Sequence, residues 1–240
     1  MREFKADLHI HTCLSPCAEL EMSPRNIVRE AKKKGLDVIG ICDHNSAENV
    51  LAVESSARKE GIRVLGGMEV TSKEEVHILA LFDRDEKLFS LQDIVYENLH
   101  GTNDEKLYGD QVVVNEEEEV VGFNKKLLIG ATEITINTLV NLVHELNGLA
   151  VASHVDREGF GIIGQLGFIP NDLSLDALEL ADPSKRNRIP RQEDFPFITS
   201  SDAHSLENVG KRYTLFRMKC ISIEEMRNCF LGKGGRGVRM

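Results

Sequence analysis

Short apolar runs that each carry a histidine or an acid at their end recur along this chain, and that pattern constrains the fold more than any bulk property does. Phe4 to Leu8 leads into His9 and His11, and Asp37 to Cys42 into Asp43 and His44. Arg63 to Val70 carries Glu69 near its end, Leu149 to Ser153 leads into His154, and Phe197 to Ser200 into Asp202 and His204. Runs of this length read as strands, and helical patterns separate them. Ser23-Pro24 opens a helix that closes on a basic turn before Gly35, and a second helix covers roughly Glu48 to Glu60. Strands alternating with helices predict an α/β fold with mainly parallel strands. In such folds the carboxyl ends of the strands line the site, so five strand ends bring metal-ligand residue types to one rim.

The middle of the chain departs from the alternation. Glu75 to Phe82 follows the third strand so closely that a short turn must join them, and Leu88 to His100 reads as a helix. Gln111 to Asn115 and Lys126 to Ile129 flank the acidic run Glu116 to Glu119, which predicts a small β-hairpin insertion within about 83–132, its acids on a solvated turn. Alternation resumes with a helix over about Asn137 to Leu146, a short strand at Ala177 to Leu180, a strand at Tyr213 to Met218 and a helix opened by a Ser222/Glu225 capping box. The expectation is one domain over 1–240 with a frayed glycine-rich tail from about 232.

Composition narrows the function classes. The net charge of −10 argues against a groove for long duplex nucleic acid. No apolar stretch is long enough for a membrane span, and the first residues lack a signal-peptide core, which points to the cytoplasm. Five cysteines in such a chain favour metal binding or packing over a disulfide framework. His9 and His11 lie on one side of an extended segment and can reach one cation.

Several segments together resemble, in order, the motifs of the PHP (polymerase and histidinol phosphatase) superfamily: DLHIHT at Asp7 to Thr12, CDHN at Cys42 to Asn45, GMEV at Gly67 to Val70, His77, His154, and SDAH at Ser201 to His204. The resemblance implies a distorted (β/α)7-type barrel and two or three divalent metals, most readily zinc, with manganese or iron as alternatives. It implies a first metal on His9, His11, Glu69 and Asp202. Glu69 would bridge to a second metal on His77 and His154. A third would take His44 and His204, with Cys17 where three-metal members carry histidine. A thiolate there favours zinc, whereas a packed Cys17 would leave that site loose. Asp43 is expected to orient a ligand imidazole. Arg157 is expected to reach the phosphate, while Lys185, Arg186 and Arg188 read first as surface cations.

The implied activity is hydrolysis of a phosphate ester, with metal-bound hydroxide near Glu69 and Asp202 attacking in line. The expected substrate is a small phosphomonoester, a nucleotide or a short nucleic-acid end. The competing reading is a metal-stabilised regulatory or interaction module with little turnover, the insertion forming its partner surface. His100 and His144, inside helical patterns, receive no ligand role.

Overall fold

The computed structural model describes residues 1–240 and contains eleven strands. In chain order these are β1 (Arg2–Ile10), β2 (Val38–Ile41), β3 (Arg63–Thr71), β4 (His77–Phe82), β5 (Val112–Val114), β6 (Val120–Phe123), β7 (Leu149–Ala152), β8 (Ala177–Glu179), β9 (Phe197–Ile198), β10 (Thr214–Met218) and β11 (Gly237–Arg239). Nine of them form one sheet in the order β11-β10-β1-β2-β3-β4-β7-β8-β9, and β5 pairs with β6 alone. The sheet is nearly closed. After β9 the chain folds back on β1, where Ile10 and Ala203 form a parallel bridge and the His11 N–H donates to the Ala203 carbonyl at 3.0 Å. The buried Asp7 carboxylate fastens this seam, accepting from the Ser201 N–H at 2.9 Å and the Gly210 N–H at 2.8 Å. The result is a mixed α/β barrel of seven strands, with β10 and β11 extending the sheet from the first half of β1.

Strand direction is more mixed than the alternation suggests. β1–β2, β2–β3, β7–β8 and β8–β9 are parallel, but β4 runs against both its neighbours, β3 and β7. His77 therefore opens its strand rather than closing it, yet stands on the same rim as the strand ends around it.

Side chains alternate between the faces of a strand, and this alternation builds two apolar layers. Leu65, Leu79, Leu81, Val151, Ala177 and Ile198 belong to the inner layer, with Met226 of the helix Ile223–Phe230 packing into it. Ile39, Met68, Ile78, Ala80 and Leu178 face outward against the helices Pro24–Lys33, Val50–Arg58, Asp85–Asn98 and Ile136–Glu145. Glu69 shares the parity of Leu65, His77 that of Leu79, and Glu179 that of Ala177. Each is thus an inward position at the upper end of its strand.

β1 needs one further device. Its register with β2 advances three residues, from Asp7 to Ile10, while β2 advances two, from Ile39 to Ile41. This bulge swaps the faces, so Leu8 packs inside and Ile10 outside although they are two residues apart. His9 and His11 are thereby turned inward. Gly40 permits the close approach: a Cβ there would lie 2.4 Å from the Leu8 carbonyl oxygen.

Two expectations are corrected. The second hairpin strand is Val120–Phe123, not Lys126 to Ile129. Asn115 Oδ1 accepts from the N–H groups of Glu117 and Glu119, which tightens the acidic turn and brings Val120 straight into pairing. Residues 124–128 are instead held by the Gln111 amide, which donates to the carbonyls of Asn124 and Lys126 and accepts from the Leu128 N–H. The tail does not fray either. β11 pairs with β10, and the Arg236 guanidinium donates to Glu225 at 2.8 Å. No helix is long and apolar enough to cross a membrane.

Candidate metal centre

Glu69 stands at the middle of the cup formed by the inward rim residues. Its carboxylate lies 2.9 Å from His77 Nδ1, 3.1 Å from His154 Nε2, 3.2 Å from His44 Nδ1 and 3.4 Å from the Nε2 atoms of both His9 and His11. Asp202 Oδ1 is 3.3 Å from the same two Nε2 atoms. His204 stacks on His11 with ring centroids 4.1 Å apart. Seven of the nine expected ligands fall into three overlapping groups whose ligand atoms lie within 4.8 Å of one another: His9, His11 and Asp202; His11, His44 and His204; His44, Glu69 and His77. His154 joins through its contact to Glu69. Cys17 does not join these groups; it lines the outer edge of the same cleft, of about 330 Å³, beside Ile129 and Phe160.

The chemistry of this donor set fits cations. His44 Nδ1, His77 Nδ1 and Asp202 Oδ1 are buried without any hydrogen-bond partner, a costly state that a metal would relieve. His9 Nδ1 donates to Glu179 at 3.0 Å and His11 Nδ1 donates to Ser15 Oγ at 2.9 Å, so each ring presents Nε2 to the cup. Those two Nε2 atoms are only 3.1 Å apart, so a divalent cation would answer both. Ser15 Oγ in turn donates to Asp43 at 2.6 Å, and Asp43 also accepts from the Thr12 N–H and hydroxyl at 2.7 Å. Asp43 thus reaches His11 through Ser15.

Charge within the cup separates the histidines. Burial would lower His9, but the carboxylates of Glu179, Glu69 and Asp202 outweigh it and hold the ring well above its ordinary value. His11 rises to about 9 in the same contest: burial lowers it, while the Asp202 and Glu69 carboxylates beside its ring prevail. Burial, helped by the charge of His11, holds His44 well below its usual range and brings His204 down to about 4. Burial also works against Glu69, yet the imidazoles of His77 and His9 keep it ionised well below the ordinary carboxylate range. Cys17 is exposed at the cleft edge, where partial desolvation of its sulfur, with the charges of Glu69 and Asp43 adding to it, raises its thiol, so only a nearby cation would draw out its thiolate.

The backbone is also bent to this purpose. His154 (φ 30°) and Asp202 (φ 51°) occupy left-handed conformations, as do Asn45 (φ 49°) and Phe160 (φ 58°) beside them. Non-glycine residues adopt this region seldom, and at a cost. Phe160 stacks on His77 at 4.5 Å. Arg157, three residues after His154, donates to Asp202 Oδ2 at 2.6 Å. His144 lies outside the cup, paired with Asp176 at 2.8 Å.

The sequence reading missed Glu179. It is buried, accepts from His9 Nδ1 and from the backbone N–H of His154, and so sits behind the His9 ring. The signal was present as a charged residue in an apolar strand at the same rim position as the others. Ser15 was missed too, and a lone serine in a loop offers no such signal.

Comparison with known proteins agrees with this architecture. The family model described as PHP domain matches residues 7–165, and one described as PHP-associated matches residues 186–229. A 5′-3′ exoribonuclease of Haemophilus influenzae is 32% identical over 84 residues, 33% of this chain and 30% of that protein. The crystal structure of a lesion-specific endonuclease from Pyrococcus furiosus aligns with a TM-score of 0.75 at 22% identity, over 99% of this chain and 58% of that one. A structure of Endonuclease Q with a 27-mer duplex bearing an abasic lesion at its active site aligns with the same score and identity, over 98% of this chain and 58% of that one. The match to a relative from Methanocaldococcus jannaschii covers 50% of that protein at 36% identity over 86 residues, so this chain spans only part of the length of the relatives it matches. The duplex complex overturns the expectation that acidic balance closes such a site to long duplex nucleic acid. Net charge is a sum over the whole surface, whereas a bound strand senses the local field. With two-thirds of its length matched by that family model and a barrel rim that gathers the matching histidines and acids, this chain belongs to the PHP domain family.

Proposed function

We propose that this chain is a metal-dependent phosphoester hydrolase acting on the phosphate backbone or ends of nucleic acid. The observation that carries this is the overlap of the ligand groups. His11 and His44 each belong to two of them, so cations held there would be close neighbours on one phosphate. His9, His11, Glu69 and Asp202 would hold one ion, and Glu69, His77 and His154 a second. His44 and His204 would hold a third, with Cys17 closing its outer side. Imidazole donors with one available thiol suit zinc, iron shares the preference for imidazole, and manganese would rely on the Glu69 and Asp202 carboxylates.

Bound cations would polarise the phosphoryl oxygens and make water nucleophilic near neutral pH. The protein's own side chains do the rest. Glu179 and Ser15 fix the tautomers of His9 and His11, and Asp43 holds Ser15 in place. Arg157, 42% exposed at the cleft mouth, offers donors to a phosphate oxygen from the side of Asp202. The names of the exoribonuclease and endonuclease relatives support nucleic acid as the substrate class.

The test has two parts. Elemental analysis of purified protein should find two or three zinc, manganese or iron ions per chain, and bis-p-nitrophenyl phosphate should be hydrolysed until a chelator is added. Asp202→Ala should abolish turnover while the protein stays folded. A metal-loaded wild type that leaves both this ester and a panel of oligonucleotides intact would sink the hydrolase reading.

A further inference from the structure

Beside the metal cup lies a second hollow of about 300 Å³, and Arg157 lines both. Its other charged lining residues are Lys185, Arg188, Asp156 and Glu158. We infer that this hollow is a second phosphate subsite, so that the substrate is a nucleic-acid strand whose neighbouring phosphate is seated there, rather than a compound with one isolated phosphate. The inference rests on the proposed hydrolase function for the identity of the first subsite.

Three features support it. Cations line it: Arg188 is exposed and engages no carboxylate, Lys185 Nζ stands 3.7 Å from Asp156, and Arg157 is held at the cup edge by its hydrogen bond to Asp202. The neighbouring basic residues are already engaged, since Arg186 lies over the Phe197 ring at 4.9 Å and Arg191 donates to Asp194 and Asn171, both at 2.7 Å. Among the basic residues of this loop, Arg188 is therefore the one without a side-chain partner, and it faces the hollow. Second, the loop that carries Lys185 and Arg188 is held in position. The buried Asp156 carboxylate accepts from the N–H groups of Ala181 (2.7 Å) and Asp182 (3.0 Å), and so binds the loop after β8 to the loop after β7 that carries Arg157. Asp156 is thereby occupied, with Lys185 Nζ at 3.7 Å. Third, the charge pattern suits a phosphodiester. The lining carries the three cations Arg157, Lys185 and Arg188 against the two carboxylates of Asp156 and Glu158, a net positive charge of one. A run of phosphates is the ligand that rewards cations placed in sequence from the reacting centre.

The experiment measures binding and turnover separately. Binding is followed by fluorescence anisotropy of a labelled phosphorothioate deoxytetranucleotide with manganese present, over a salt series. Turnover is measured on bis-p-nitrophenyl phosphate, which has one phosphorus, and on the unmodified tetranucleotide. In Lys185→Ala/Arg188→Ala the tetranucleotide should bind about tenfold more weakly. The slope of log affinity against log salt should flatten by roughly 1.4, about 0.7 per lost cation. The ratio of kcat/KM for the tetranucleotide to that for the single ester should fall about tenfold, through KM rather than kcat. Glu158→Gln should move affinity the other way, a few-fold tighter. Wild-type affinity and salt slope in both variants would overturn the subsite, as would a wild type that fails to bind the tetranucleotide. A wild type that binds it with these shifts but hydrolyses neither compound would refute the hydrolase reading and leave the subsite standing.

Discussion

Replacing Glu179 with glutamine isolates one charge behind the metal cup. A single carboxylate oxygen, Oε2, accepts from both His9 Nδ1 (3.0 Å) and the His154 N–H (3.2 Å), while Oε1 is buried with no partner. A glutamine can keep its oxygen on those two donors and place its amino group where Oε1 stood, so shape and hydrogen bonds survive and only the charge is lost. Two unit charges 3.0 Å apart at an effective dielectric near 20 interact by about 5.5 kcal/mol, which bounds the effect from above. With a cation on Nε2 the ring is neutral overall, and the carboxylate acts on a polarised N–H rather than on a full charge. Losing such a partner behind a metal-ligating histidine typically lowers affinity 10- to 100-fold, about 1.4–2.7 kcal/mol. Competition against a chromophoric zinc chelator should show a loss of that size in Glu179→Gln for the tightest-bound ion, with the secondary structure unchanged by circular dichroism. Affinity within threefold of wild type would refute the reasoning and reduce Glu179 to a spacer.

Further outcomes follow from other parts of the structure. Gly40→Ala drives a methyl group against the Leu8 carbonyl at the β1 bulge and should cost about 3 kcal/mol in urea unfolding, whereas an unchanged midpoint would show that the bulge yields. Cys17→Ser should lower metal stoichiometry by about one per chain; equal stoichiometry would make Cys17 a bystander at the cleft edge. The hydrogen bond from Arg236 holds Glu225 down to about 2, so this pair contributes stability above the ordinary value of 4.5 and loses it as pH falls towards 2. Hydrogen-exchange protection at Gly237–Arg239, taken relative to the intrinsic rate at each pH, should fall over that window, and Arg236→Ala should show low protection at every pH.

Much of the cup is legible in the chain because most of its residues obey a local rule, His77 at the start of β4 being an exception. Histidine or acid at the end of an apolar run marks a rim position whatever the rest of the barrel does, and this identified His9, Glu69, His154 and Asp202. Glu179 obeys the same rule at the end of β8, and the remainder of the site depends on contacts distant in sequence. The bulge that turns His9 and His11 inward shows only in the pairing of β1 with β2. The reversed direction of β4 follows from its antiparallel pairing with β7, and the Asp7 seam joins residues about two hundred positions apart. The hairpin strand was misplaced because Val120–Phe123 is apolar yet exposed, and the Gln111 amide imitates a strand partner for the residues beyond it. Ser15 acts only through Asp43 and His11, and no spacing rule anticipates that.

The left-handed turns at His154 and Asp202 bear on how such a protein changes over time. Each holds an L-residue where glycine would rest without penalty, at a cost on the order of 1–2 kcal/mol. A lineage released from the need to cut phosphate would become sturdier by drifting to glycine at both positions. Side chains retained there in a descendant would be retained against that gradient, and would serve as a gauge of whether the proposed chemistry persists.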